Sequence, residues 1–375
     1  MRTGRDSLSG RGEGRLQRAA AAVLFLLVFC FAMCIRTGAR ELISPSRAFG
    51  NLWLWLRLEA AERFDLPLKL QRNALIQASP YFFETVSRFR NLLVTMICGA
   101  SIAVGGACYQ VLFRNPMAAP TMLGVGSGIN LGLLLLVAQY SAGAYAMMGR
   151  RFAYCLGLAF AMLAIVTAAG RFAGKNRRSV TDMLLVGSVL GQISGAVVTF
   201  VRFNMEQEDL TVFQTLSLYG LTVNTDYEFA GKALVLLIVV FLGCMLPLAA
   251  MRFSFDAMSY PDDDAKLMGI NPGLVRIVCL ILVTAMVTSS ILFCGTVGVL
   301  SLAVPHISRY FFGSKFKSVL GGSCFFGAFL LMICRTISSL IYLKGMGFFP
   351  IGTLAGLVCA PVLAMVLAQR RRGWD

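Results

Sequence analysis

His306 is the only histidine in the chain, and it stands beside Pro305 at the end of an apolar run. A metal path or metal centre needs several converging His, Cys or carboxylate donors. One imidazole there reads as a hydrogen-bonding residue of helix packing. The eleven cysteines (Cys30, Cys34, Cys98, Cys108, Cys155, Cys244, Cys279, Cys294, Cys324, Cys334 and Cys359) lie in apolar segments, and no two form a C-x-x-C pair. They read as small packing residues rather than a disulfide framework or metal site. Nucleotide hydrolysis needs a glycine-rich loop ending in Lys and a hydroxyl residue. Gly174-Lys175-Asn176 and Gly231-Lys232-Ala233 lack both the first glycine and the hydroxyl. Carboxylates stop at the edges of apolar runs, as at Asp182 and Glu228, whereas ion-coupled carriers place them within. No nucleophile is set with a base or metal pair. The expectation is a chain with no catalytic residue, no metal ligands and no cofactor of its own.

Two stretches remain that can act without covalent chemistry. Arg114 to Gly132 joins two apolar runs, yet carries Pro116 and Pro120 and then Gly124, Gly126, Gly128 and Gly132. In a membrane protein, backbone freed by Pro and Gly must be buried in protein or face a watery cavity. Gly124, Gly128 and Gly132 recur every four residues and share one helix face, where a neighbouring helix can approach closely. The residues alone leave two readings open: a tightly packed helix pair, or a gate beside a transport path. The second stretch is Asp256 to Ile270. Tyr260-Pro261-Asp262-Asp263-Asp264 sets a turn and an acidic helix start, where carboxylates suit the positive end of the helix dipole. Ala265, Leu267, Met268 and Ile270 add a small apolar surface, and Gly269 is a stop.

The elements that must position these stretches are membrane spans. The 375 residues are 57% hydrophobic and only 14% charged, and apolar runs long enough to cross a bilayer predict an all-helical, multi-pass membrane protein. The net charge of +16 is scattered between apolar runs rather than gathered on one face, so it marks topology and not a nucleic-acid partner. Residues 1–18 form a basic tail, and 19–35 the first apolar run, which lacks a small-x-small cleavage site. Residues 36–88 mix both charge signs and read as an extracytoplasmic elaboration, with Ser44-Pro45 starting a helix and Trp53 and Trp55 suited to the interface. Further apolar runs follow at about 91–113, 121–139, 144–171, 181–203, 230–251, 273–294, 296–312, 318–343 and 348–369, making ten spans in one domain over 19–375. Run 296–312 holds Pro305 and is expected to be short or partly re-entrant. Lys and Arg concentrate in alternate loops, and Glu206, Glu208, Asp209, Asp226 and Glu228 mark an opposite one. That pattern places both termini in the cytoplasm.

Three blocks in order then resemble one family. They are Gly99 to Gln110 with Arg114-Asn115-Pro116-Met117-Ala118 and Gly124-Val125-Gly126-Ser127-Gly128; Gly295-Thr296-Val297-Gly298-Val299 through Val304-Pro305-His306-Ile307-Ser308-Arg309; and Phe349-Pro350-Ile351-Gly352-Thr353 with Ala360-Pro361. Together they look like the FecCD family, permease subunits of ABC importers for iron-siderophores, haem and cobalamin. The resemblance implies a ten-helix bundle of the type II importer kind in the cell membrane, dimerising with a second copy or paralogue. It implies an ATPase subunit that uses the ATP, an extracytoplasmic substrate-binding protein, and a metal chelate as cargo. It places the substrate path or gate at Asn115, Pro116, Gly124, Gly126, Ser127 and Gly128, and a cytoplasmic constriction at Ser179 and Thr181. It makes 252–272 a coupling segment in which Asp262, Asp263, Asp264, Leu267, Met268 and Gly269 meet the ATPase. It carries binding-protein docking to Arg88 and Arg90, although the family's R-L-P-R is here Ser87-Arg88-Phe89-Arg90.

Overall fold

The computed structural model describes residues 25, 29, 44–63, 72–79, 81–140, 143, 148–173, 180–220, 227–343 and 349–371. The basic tail and most of the first apolar run lie outside this set, as does Ser179. Among the described residues the chain is helical, with no strand. In order the helices are α1 (Pro45–Arg63), α2 (Arg72–Gln77), α3 (Phe82–Leu112), α4 (Val125–Tyr140), α5 (Met148–Ala173), α6 (Val180–Phe203) and α7 (Gln207–Tyr219). They continue with α8 (Tyr227–Ala250), α9 (Arg252–Met258), α10 (Asp262–Leu267), α11 (Pro272–Cys294), α12 (Leu300–Phe312), α13 (Phe316–Leu343) and α14 (Ile351–Arg371). A 3-10 turn, Pro120–Leu123, precedes α4.

Six of these, α3, α5, α6, α8, α11 and α13, are long and apolar enough to cross a membrane. α4 and α14 are shorter apolar helices. α12 has 13 residues with Pro305 inside, about 20 Å at 1.5 Å per residue, which is less than the roughly 30 Å of a hydrocarbon core. It is the short element expected of run 296–312. Each of the nine apolar runs after the first thus falls on a helix. From the first run, Phe25 and Phe29 pack their rings against Phe329 of α13, with centroids 5.8 and 5.2 Å apart.

α3 is the hub because its sequence offers small residues where neighbours cross. Lipid tails are as apolar as leucine, so helices associate in a bilayer largely by close packing. A Cβ placed on Gly99 would lie 2.2 Å from the carbonyl oxygen of Gly327 on α13, and one on Gly327 would lie 2.4 Å from that of Gly99. The two backbones touch with no room for a side chain. At Gly106 the same position would fall 1.8 Å from the Ser301 carbonyl oxygen of α12. The expected glycine face forms at Gly128 and Gly132, whereas Gly124 lies before α4 in the left-handed region rather than on the helix. An added Cβ at Gly128 or Gly132 would sit 2.7 Å from the backbone of Ala159 or Cys155 on α5, so the spacing of four produces a close α4–α5 pair.

The interval 36–88 contributes α1 and α2. α1 starts at Pro45 and rests on the start of α3, burying Leu52 and Leu58 beside Phe82 and Val86. Phe49, Trp53 and Leu56 stay exposed.

Candidate functional site

The break after α3 and the segment between α8 and α11 meet at one end of the bundle. α3 stops in a Schellman arrangement: Arg114 N donates to Val111 O at 3.1 Å, and Asn115 N donates to Gln110 O at 3.1 Å. The residue in the left-handed position is usually glycine. Here it is Arg114, at φ 46°, a conformation costing an L-residue about 1–2 kcal/mol. Its side chain offsets that cost. Arg114 Nε donates to Met258 O at 2.9 Å, and Nη2 donates to Asp262 Oδ1 at 2.5 Å. The loop then turns on Asn115, whose Oδ1 accepts from Met117 N at 2.9 Å. Pro116 O accepts from His306 Nε2 at 3.0 Å, so the lone histidine is a helix-packing donor, buried at 1% exposure. Arg309 Nη1 donates to Gln110 Oε1, while Gln110 Nε2 donates to Leu302 O at 3.2 Å. The first two family-like blocks are therefore in direct contact. The second also touches the third, since a Cβ at Gly352 would fall 1.9 Å from the Thr296 carbonyl oxygen.

The 252–272 segment is anchored to three spans. Asp262, at the start of α10, accepts from Arg114 beyond α3 and from Arg276 Nη2 of α11 at 2.8 Å. Partial burial pushes the Asp262 carboxyl up, but hydrogen bonds and charge from Arg276 and Arg114 outweigh it and hold its pKa below the ordinary value. Asp256 Oδ1 accepts from Phe316 N of α13 at 2.8 Å, and the Phe255 and Phe316 rings stack with centroids 4.2 Å apart. α10 itself ends in a Schellman motif, with Ile270 N donating to Ala265 O at 3.1 Å and Gly269 N to Lys266 O at 2.9 Å. Gly269 takes the left-handed position at φ 80°. Asn271 then caps α11, its Oδ1 accepting from Gly273 N and Leu274 N. What this frame presents outward is apolar: Leu267 is 88% exposed and Met268 46%. Asp263 and Asp264 are exposed beside them, with Asp263 paired to Lys266.

The other expected site residues distribute as follows. Asn115 and Pro116 join the coupling end through Arg114 and His306. Gly124 ends the 3-10 turn at φ 77°, Gly126 is half-buried, and Ser127 Oγ donates to Gly191 O of α6 at 3.3 Å. This group holds α4 to α5 and α6. Thr181 lies in the first turn of α6, and its side chain is outside the described set. Arg88 and Arg90 are buried near the opposite end of α3. Arg88 pairs with Glu84 at 2.5 Å, and Arg90 reaches Glu59 of α1 at 3.6 Å beneath the Trp55 ring. In the sequence Arg114 opens the Pro/Gly stretch and Arg276 is one of the loop cations; their pairing with Asp262 emerges only in the fold. Their separation along the chain left no spacing signal to find it.

Known proteins resemble the chain over most of its length. The chain is 27% identical over 284 residues to an iron chelatin transport system permease protein of Helicobacter pylori, covering 76% of this chain and 82% of that one. It is 26% identical over 367 residues to the hemin transport system permease protein of Yersinia pestis, covering 97% and 99%. A solved metal-chelate-type ABC transporter in an inward-facing conformation superposes with a TM-score of 0.72 at 20% identity, over 94% of this chain and 99% of the other. The FecCD transport family matches residues 26–369, nearly the whole sequence, and the chain belongs to that family.

Proposed function

We propose that the chain is the membrane permease subunit of an ABC importer, moving a bulky metal chelate such as a ferric siderophore or haem. It works beside a second copy or paralogue and is driven by a separate ATPase. The observation that carries this reading is the anchored α10. A chain without a phosphate-binding loop can be driven only through a rigid element seated in a partner that moves on binding ATP. Asp262 and Asp256 tie the segment to α3, α11 and α13, while Leu267, Met268 and the Gly269 turn face outward. In this reading those three residues seat in the ATPase groove, and Asp263 and Asp264 orient the approach. Iron chelatin and hemin permeases among the relatives support a chelate cargo, which brings its own coordination and asks no ligands of the wall.

The coupling end then faces the cytoplasm, with both termini, and α1 and α7 lie at the outer side. Asn115, Pro116, Gly124, Gly126, Ser127 and Gly128 flank the path, and Ser179 and Thr181 narrow its exit. The substrate-binding protein docks over α1, which covers Arg90; Arg88 and Arg90 act by holding that surface in place. The test is co-purification with candidate ABC ATPase subunits from the same genome, followed by ATP hydrolysis in lipid discs with and without chelate-loaded binding protein. A stable complex whose hydrolysis responds to the loaded protein is expected. A chain that transports the chelate without any ATPase would make it a secondary carrier, and one that binds neither partner a scaffold.

A further inference from the structure

A cavity of about 790 Å³ opens where α5, α6, α10 and α11 meet. Its wall has two halves. One carries Asp262, Lys266 and Arg276 together with the first turn of α11 from Asn271, and two cations there face one carboxylate. Among the described residues, α5 and α6 add no charged side chain to the lining. Asp262 is shared by Arg276 and Arg114, and Lys266 pairs with the exposed Asp263. The Arg276 side chain is 14% exposed, and its Nε is buried with no hydrogen-bond acceptor among the described residues. A buried guanidinium donor without an acceptor is costly. The other half is apolar, with Phe160 and Leu163 of α5 facing Leu280 and Ile281 of α11. From Pro272 to Ile281 the wall runs about 14 Å along α11, roughly half a hydrocarbon core. Ile277 and Ile281 are each 48% exposed, so the crevice is continuous with the apolar flank of the bundle.

We propose that this crevice binds an anionic phospholipid of the cytoplasmic leaflet, with its phosphate on Arg276 and Lys266 and an acyl chain laid between α5 and α11. Basic pockets between spans on the cytoplasmic side suit such headgroups. The leaflet rests on the permease reading. The lipid matters because Arg276 is also a partner of Asp262: a phosphate drawn to the guanidinium holds the residue whose Nη2 pins α10.

The experiment uses the full-length chain in detergent, with phosphatidylglycerol or phosphatidylcholine added. Bound lipid is read by native mass spectrometry and thermal stability by dye. Phosphatidylglycerol is expected to be retained and phosphatidylcholine lost. Arg276→Gln should weaken retention about tenfold, the worth of one charge-assisted hydrogen bond. Ile281→Trp, which narrows the apolar half without touching the ion pairs, should weaken it as well. Where Arg276→Gln fails to fold, Lys266→Gln and Ile281→Trp decide. Equal retention in all variants overturns the proposal. So does inorganic phosphate reproducing the stabilisation given by phosphatidylglycerol, which would mark a free-anion site, or crosslinking of a cysteine at position 277 to a second copy. Binding is read without any ATPase, so failure of the coupling reading leaves this result standing, and the reverse holds too.

Discussion

Replacing Gly269 isolates the turn that ends α10. Its φ of 80° belongs to the left-handed region, yet nothing lies within 4 Å of an added Cβ. The cost of a side chain is therefore backbone strain alone, about 1–2 kcal/mol for Ala. Asn tolerates this conformation better than Ala, and a β-branched residue tolerates it worse. α10 has only six residues, too few to persist as a helix without its flanking bonds. Each 1.4 kcal/mol is tenfold in the population of the formed turn. The segment should fray locally while the bundle, whose core lies elsewhere, keeps its melting temperature. Purified wild type and Gly269→Asn, Gly269→Ala and Gly269→Val should rank in that order for ATPase co-purification and for chelate-stimulated hydrolysis, with about five- to thirtyfold between Gly and Ala. Asn is larger than Ala, so a ranking by size would reverse the middle pair. That reversal, or equal activity in all four, would refute the argument that the turn geometry carries coupling.

Asp262→Asn should loosen two segments at once, because one carboxylate holds Arg114 and Arg276; part exposure limits the loss to about 1–2 kcal/mol. Hydrogen exchange should rise together in 113–124 and 252–271, and a rise in one alone would contradict the shared pin. The lowered pKa of Asp262 means its contribution is full above the unfolded carboxylate value of about 3.9 and is lost as pH falls below it through the folded value; loss of protection already above about pH 5 would show another group at work. Gly327→Leu should abolish monodisperse protein, since its Cβ would overlap the Gly99 carbonyl oxygen, whereas Gly157→Ala and Gly195→Ala, which meet nothing within 4 Å, should purify normally. Accessibility tags after Asp375 and within 172–178 should both report cytoplasm and one near Asp209 the outside; an external C-terminal tag would overturn the ten-span topology.

What the residues disclosed in advance follows from the range of each interaction. Apolar run length and glycine spacing are local, so α3, α4 and the close α4–α5 pair were legible before any coordinates. The Asp262 start and Gly269 stop of α10 were legible for the same reason: both are fixed within a few residues. The junction that gives α10 its rigidity was not. Arg114, Asp262 and Arg276 meet only because three helix ends converge, and no periodicity encodes a contact between positions 114 and 262. Arg88 and Arg90 show the same limit from the other side. As sequence they were basic residues at the rim, and only the fold shows Arg88 buried beside Glu84 and Arg90 enclosed by Glu59 and Trp55 of α1.

Arg114 carries this reasoning furthest. A glycine at that position would take φ 46° with no strain, so the arginine costs the fold backbone energy that glycine would not. Its guanidinium supplies what glycine cannot, a bond to Met258 O and an ion pair to Asp262. Strain in the α3 turn and anchoring of α10 are therefore one balance. Any force that draws α10 away from the bundle must break the bonds that offset the Arg114 conformation, and so bears directly on the loop that leads to Gly124 and α4. In the proposed function, a pull on α10 reaches the loop before Gly124 and α4 through strained Arg114, with Arg276 as a second tether.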